Sequence, residues 1–217
     1  FKLALSLLVT YLVWGSTYLA IRIGVESFPP LMLAALRFLL AGGSMYLWLR
    51  LRGVASPSRI QWRNAALIGG MMLTIANGSV TYAEKTVSSG VAALVVGLVP
   101  LLTVLAAWIW GARPSRREWL GISIGLLGVV WLSTGQQLRA SPQGAVLLVL
   151  ASLSWAFASV WMRRLEMPAG PMSVATQMLL AGGQLTLLSL LHGEQLPGKT
   201  LLYVDDAVEL FFLQVQG

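Results

Sequence analysis

Seven stretches of mostly apolar residues follow one another with little polar chain between them. They run roughly over 3–23, 30–50, 63–83, 87–110, 118–135, 144–163 and 172–191. A helix crosses a bilayer in about 20 such residues at 1.5 Å rise each. In hydrocarbon every backbone N–H and C=O must be paired internally, so these stretches predict helices rather than open strands. The expected fold is all-α, a polytopic bundle of about seven transmembrane helices. Composition agrees: 57% of residues are hydrophobic, 11% are charged and the mean hydropathy is +0.76, whereas soluble domains carry about 25% charged residues. A net charge of +7 would suggest nucleic acid in a soluble chain. Here the arginines lie between apolar runs, where a membrane protein places them, and no nucleic-acid partner is expected. The absence of cysteine excludes a disulfide framework and a thiolate metal site.

The connections carry the helix breakers. Phe28-Pro29-Pro30 parts the first two stretches, and Gly53 to Ser58 the next two. Ser88-Ser89-Gly90 opens the fourth, with the serines placed as caps. Ser141-Pro142 precedes the sixth, and Met167 to Pro171 follows it. The loops after the second, fourth and sixth helices hold nine basic residues: Arg50, Arg52, Arg59, Arg63, Arg113, Arg116, Arg117, Arg163 and Arg164. The opposite set holds three, Arg22, Lys85 and Arg139. Basic residues stay on the cytoplasmic side, so the amino terminus is expected there. Phe1 in place of Met suggests that the true start lies upstream, and the first stretch lacks a signal-peptide cleavage site.

An internal repeat goes further than hydropathy. Trp14 to Gly43 reads WGSTYLAIRIGVESFPPLMLAALRFLLAGG, and Trp155 to Gly183 reads WAFASVWMRRLEMPAGPMSVATQMLLAGG. Trp14 matches Trp155 at an offset of 141, and LLAGG at 39–43 recurs at 179–183 at an offset of 140. Helix one starts inside and its copy, helix six, starts outside, so the two units should lie upside down relative to each other. Inverted repeats of this kind characterise secondary transporters, with substrate held near the midplane.

Four segments carry a family resemblance: WGSTYLAIRIGVESFPPLMLAALRF at 14–38, NGSVTYAEKTVSSGVAALVVGLVPL at 77–101, EWLGISIGLLGVV at 118–130 and SWAFASVW at 154–161. They resemble the drug/metabolite transporter superfamily, EamA family, and occur in its order. The resemblance implies ten helices in two inverted five-helix halves, and an inner-membrane carrier exporting small metabolites or drugs. Residues 1–135 then form a first repeat and 144–193 a partial second one. Residues 194–217 diverge, because Asp205, Asp206 and Glu209 interrupt the apolar stretch that a further span would need. A truncated reading of the ten-helix pattern follows as an expectation.

Within the spans a few polar and aromatic residues stand out. Trp14, Tyr18, Asn77, Tyr82 and Trp155 are candidates to line a substrate cavity. Asn77 in mid-helix needs a hydrogen-bond partner, which points it into the bundle. Arg37, about seven residues into helix two, suits a substrate carboxylate or Glu84, or else snorkels outward. The second copy has Gln177 at its place. Glu84 is the proton-coupling candidate, since ionisable groups in spans are costly and often functional. Its alternative is a solvated interfacial carboxylate beside Lys85. Arg22 and Glu26, four apart, suit an intrahelical pair. Pro100 interrupts helix four and is the candidate hinge. Gly121, Gly125 and Gly128 form a ridge suited to close helix packing. The single His192 has no partners at ligand spacing, so no metal is expected. No phosphate-binding loop, nucleophile elbow or dinucleotide fingerprint occurs, so neither catalysis nor a cofactor is expected.

The reading is therefore not an enzyme but a gradient-driven carrier in the bacterial inner membrane. It exports small metabolites, amino acids or drugs by alternating access around a cavity lined by helices one, two, three and six. Its partners are the lipid bilayer and a small-molecule substrate, with a homodimer left open. Two alternatives remain at this stage: a membrane fragment that does not transport, and a seven-helix receptor.

Overall fold

The structure, a computed structural model, describes residues 2–133 and 141–194, and omits some side chains of its first and fifth helices, Trp14 and Tyr18 among them. Seven helical rods follow in order: α1 (Lys2–Ser27), α2 (Pro30–Leu51), α3 (Arg59–Ala83), α4 (Ser89–Ile109), α5 (Arg116–Ser133), α6 (Pro142–Met162) and α7 (Pro171–Leu191). No β-strand occurs among the described residues, and the all-α expectation holds. Five rods, α2, α3, α4, α6 and α7, are long and apolar enough to cross a membrane. Helix α5 opens on three charged residues, Arg116, Arg117 and Glu118. Arg139 and residues 195–217 lie outside the described residues, and with them nearly all of the divergent tail.

Rod boundaries follow from local chemistry. Pro30, Pro142 and Pro171 sit in first turns, where their missing N–H costs nothing. Ser88 and Ser141 cap α4 and α6, accepting from the amides of Val91 (3.4 Å) and Gly144 (3.0 Å). At α3 the cap is reciprocal. Ser58 Oγ accepts from the Gln61 amide at 3.2 Å, and Gln61 Oε1 accepts from the Ser58 amide at 3.0 Å. Helices α2 and α7 end alike. Gly53 (φ 80°) and Gly193 (φ 72°) both take the left-handed conformation that lets the next amide turn back. The Val54 amide then donates to Leu49, as the Glu194 amide does to Ser189. The two ends match at an offset of 140.

Among the described residues the most extensive contact joins α2 to α7. A Cβ on Gly42 would stand 2.8 Å from the Leu179 backbone nitrogen, and one on Gly182 would stand 3.0 Å from the Leu39 nitrogen. Each LLAGG run thus seats its glycine on the leading leucine of the other. Only hydrogen at these positions permits so close an approach. Ala34, Ala35, Phe38, Ala175, Ala181 and Leu185 are buried along the seam. At its end Glu194 reaches back, accepting from the amides of Leu31 (3.3 Å) and Met32 (3.0 Å) at the start of α2. A carboxylate there meets the positive end of the helix dipole.

Two rods are irregular. In α3, Gly70–Asn77 is π-helical. Its neighbours take up the displaced backbone groups: Ser154 Oγ donates to the Met71 carbonyl at 2.8 Å, and Gln184 Nε2 to the Ala66 carbonyl at 3.2 Å. Gln184 Oε1 also accepts from Thr74 at 2.7 Å. Helix α4 breaks at Gly97–Leu98, so that Pro100 falls in the first turn of its second part, Val99–Ile109. The glycine ridge of α5 does not behave as expected. Cβ atoms on Gly121, Gly125 and Gly128 would meet nothing within 4 Å among the described residues, because α5 touches the bundle sparingly, mainly at α4.

Candidate substrate cavity

A cavity of about 1110 Å³ lies between the rods. Its wall includes Thr17 of α1, Phe38 of α2, Asn77 of α3, Pro100 of α4, Trp155 of α6 and Met178 of α7. The expected helices one, two, three and six all contribute, together with four and seven. The irregular parts of the fold converge here: Asn77 ends the π-helical segment, and Gly97, Val99 and Pro100 mark the break in α4. Local departures from α-helix recur at functional sites because they re-aim side chains and free backbone groups.

Among the site candidates, Asn77 and Trp155 line the cavity. Arg37 does not. It stands behind Asn77 and donates from Nη2 to Asn77 Oδ1 at 2.6 Å, a charge-assisted bond. This is the partner that Asn77 was expected to need, and Arg37 neither snorkels nor pairs directly with Glu84. Tyr82 lies apart, at the end of α3. Its ring meets His192 edge-on with centroids 5.8 Å apart, and the Lys85 ammonium sits over it. The backbones of Trp14 and Tyr18 belong to α1, but their side chains lie outside the described residues.

Glu84 is fully buried, and neither carboxylate oxygen has a hydrogen-bond partner among the described residues. The alternative of a solvated carboxylate beside Lys85 fails, because Lys85 is exposed while Glu84 turns inward. Arg22 does not pair with Glu26; its guanidinium donates to the Glu84 backbone carbonyl. Charge from both Arg22 and Arg37 acts on Glu84. Two arginines from α1 and α2 therefore converge on α3, one at Glu84 and one at Asn77.

Sequence reasoning passed over Gln184 and Ser154, which hold the π-helical segment. The signal was present in Gln184, an amide inside an apolar run directly after LLAGG. Hydrocarbon forces such a group to find a partner. Among the described residues no cluster of His, Cys, Asp or Glu suits a metal ion.

Comparison with known proteins shows the family. Residues 2–134 match the EamA-like transporter family, and the chain belongs to that family. It is 47% identical over 192 residues to the uncharacterized inner membrane transporter YedA of Escherichia coli, covering 88% of this chain and 63% of that protein. It is 30% identical over 170 residues to a probable amino-acid metabolite efflux pump of Salmonella typhimurium, covering 74% of this chain and 53% of that one. The uncharacterized transporter YoaV of Bacillus subtilis is 23% identical over 165 residues. The chain thus spans less than two thirds of the length of these relatives. No solved structure matches.

Proposed function

We propose that the protein is, or forms the core of, a secondary carrier that exports small amphipathic solutes across the bacterial inner membrane. The observation that carries this reading is the cavity of about 1110 Å³, mostly apolar and lined by helices of both repeat units. Small-molecule sites have this character, with a few polar groups to orient the ligand. The reciprocal Gly42–Leu179 and Gly182–Leu39 contacts, together with the matched ends of α2 and α7, support an inverted repeat with its pseudo-two-fold axis at that crossing. Alternating access then rocks the two units about this seam, with the break before Pro100 as the bending point in α4.

The excess of basic residues in alternate loops supports a cytoplasmic amino terminus. Glu84 then lies toward the outer face, where Arg22 and Glu194 tie α1 to α3 and α7 to α2. Glu84 is the proton carrier in this reading. A buried carboxyl group without hydrogen-bond donors is costly to keep charged, and two arginines acting on it link its charge to the positions of α1 and α2.

The test is flux in proteoliposomes loaded with labelled phenylalanine, under an imposed proton gradient. Wild-type protein should release label faster with the gradient than without it. Trp155→Ala should cut the rate by about tenfold or more, the loss of roughly 1.4 kcal/mol of binding. Glu84→Gln should abolish the gradient dependence. Gradient-independent leakage, equal in all three proteins, would sink the carrier reading.

A further inference from the structure

The hydrogen bond between Arg37 and Asn77 fixes which end of the Asn77 amide is taken up by Arg37 and which is left over. A guanidinium has only donors, so the atom 2.6 Å from Arg37 Nη2 must be the amide oxygen. Amide orientation is ordinarily ambiguous and is assigned from its surroundings; here the surroundings allow one answer. Asn77 also lines the cavity, whereas Arg37 stands behind it. Asn77 Nδ2 accordingly has no hydrogen-bond partner among the described residues.

Two of the hydroxyls in the lining are already committed. Thr17 Oγ1 donates to the Val13 carbonyl at 2.7 Å, and Ser152 Oγ to the Leu148 carbonyl at 2.9 Å. Two more hydroxyls line the cavity, Tyr11 of α1 and Ser89 in the first turn of α4. The lining is therefore mostly apolar with a few polar groups, and among them Asn77 offers an amide donor whose oxygen is held by a cation. A polar site of this kind selects for the complementary group and rejects analogues that lack it, because its own group is otherwise left unpaired.

We infer that Asn77 Nδ2 is the specificity contact of the cavity, selecting solutes that join an apolar body to a carbonyl-type acceptor, with Arg37 as the positioning residue that keeps the donor facing inward. This rests on the cavity being the carrier's binding site. It adds the sign of the polar contact: acceptor-bearing solutes are favoured.

The matched probes are 4-phenylbutan-2-one and butylbenzene, which differ by a carbonyl in place of a methylene. Binding is measured by calorimetry on the full chain in nanodiscs, with empty nanodiscs subtracted. The wild type should bind the ketone at least tenfold more tightly than the hydrocarbon. Asn77→Asp keeps a partner for Arg37 but offers only acceptors, so the preference should vanish. Arg37→Met frees the amide to flip and should reduce the preference. Arg37→Lys, still only a donor, should retain it; a purely structural role for Arg37 would not separate these two variants by probe preference.

Equal binding of both probes by the wild type, or a preference that survives Asn77→Asp, would overturn the inference. Phenylalanine flux alongside such a result leaves the carrier reading standing. A preference that tracks Asn77 without any flux does the reverse.

Discussion

At the scale of single residues, the informative positions are polar groups inside apolar runs. Asn77 was legible in the sequence because a mid-span amide has to be paired, and its need for a partner inside the bundle follows from hydrocarbon alone. Which partner it takes was not legible. Arg37 lies 40 positions away on another helix, and no periodicity relates the two. Glu84 was misjudged in one of its readings for the same reason, since the adjacent Lys85 suggested solvent while the turn after α3 buries one and exposes the other. Gln184 offers a direct check on the cost of unpairing. Gln184→Leu strands Thr74 and releases the Ala66 carbonyl, and should destabilise the protein by about 1 kcal/mol, in line with interhelical hydrogen bonds in membranes. The shift is read as a lower unfolding midpoint in a denaturing detergent titration. An unchanged midpoint would mean that the π-helical segment holds itself.

At the scale of elements, the α2–α7 crossing shows what a repeated motif does. LLAGG was visible twice in the sequence, but only the fold reveals that the copies bind each other. Cβ atoms at Gly42 and Gly182 would press on backbone nitrogens, which cannot rotate away. Gly42→Ala and Gly182→Ala should therefore each cost about 1–3 kcal/mol, the range for overpacking. The double variant should cost less than the sum, since the helices separate only once. Gly125→Ala, with nothing near it among the described residues, should leave the unfolding midpoint unchanged. A loss at Gly125 matching that at Gly42 would refute this assignment of roles. The same comparison explains why the ridge of α5 misled the sequence reading. Small residues at helical spacing report the capacity for close approach, not the presence of a neighbour.

At the scale of the whole molecule, hydropathy and loop chemistry made the order of the described rods readable, because each signal is local. Cavity, seam and rod irregularities are products of packing among distant segments, and no local signal encodes them. Glu194 is the longest-range example. It meets the amides of Leu31 and Met32 across 163 and 162 positions of sequence. A ribosome adds about 5–20 residues each second, so α2 waits roughly 8–30 seconds in the bilayer before that carboxylate exists. For most of that interval, until α7 is made, the notch at Gly42 lies open to lipid, to a neighbouring nascent chain or to the quality-control machinery. Helix α7 is the one that closes it, which turns the order of synthesis into a checkpoint: a chain stalled before α7 carries its own visible mark of incompleteness.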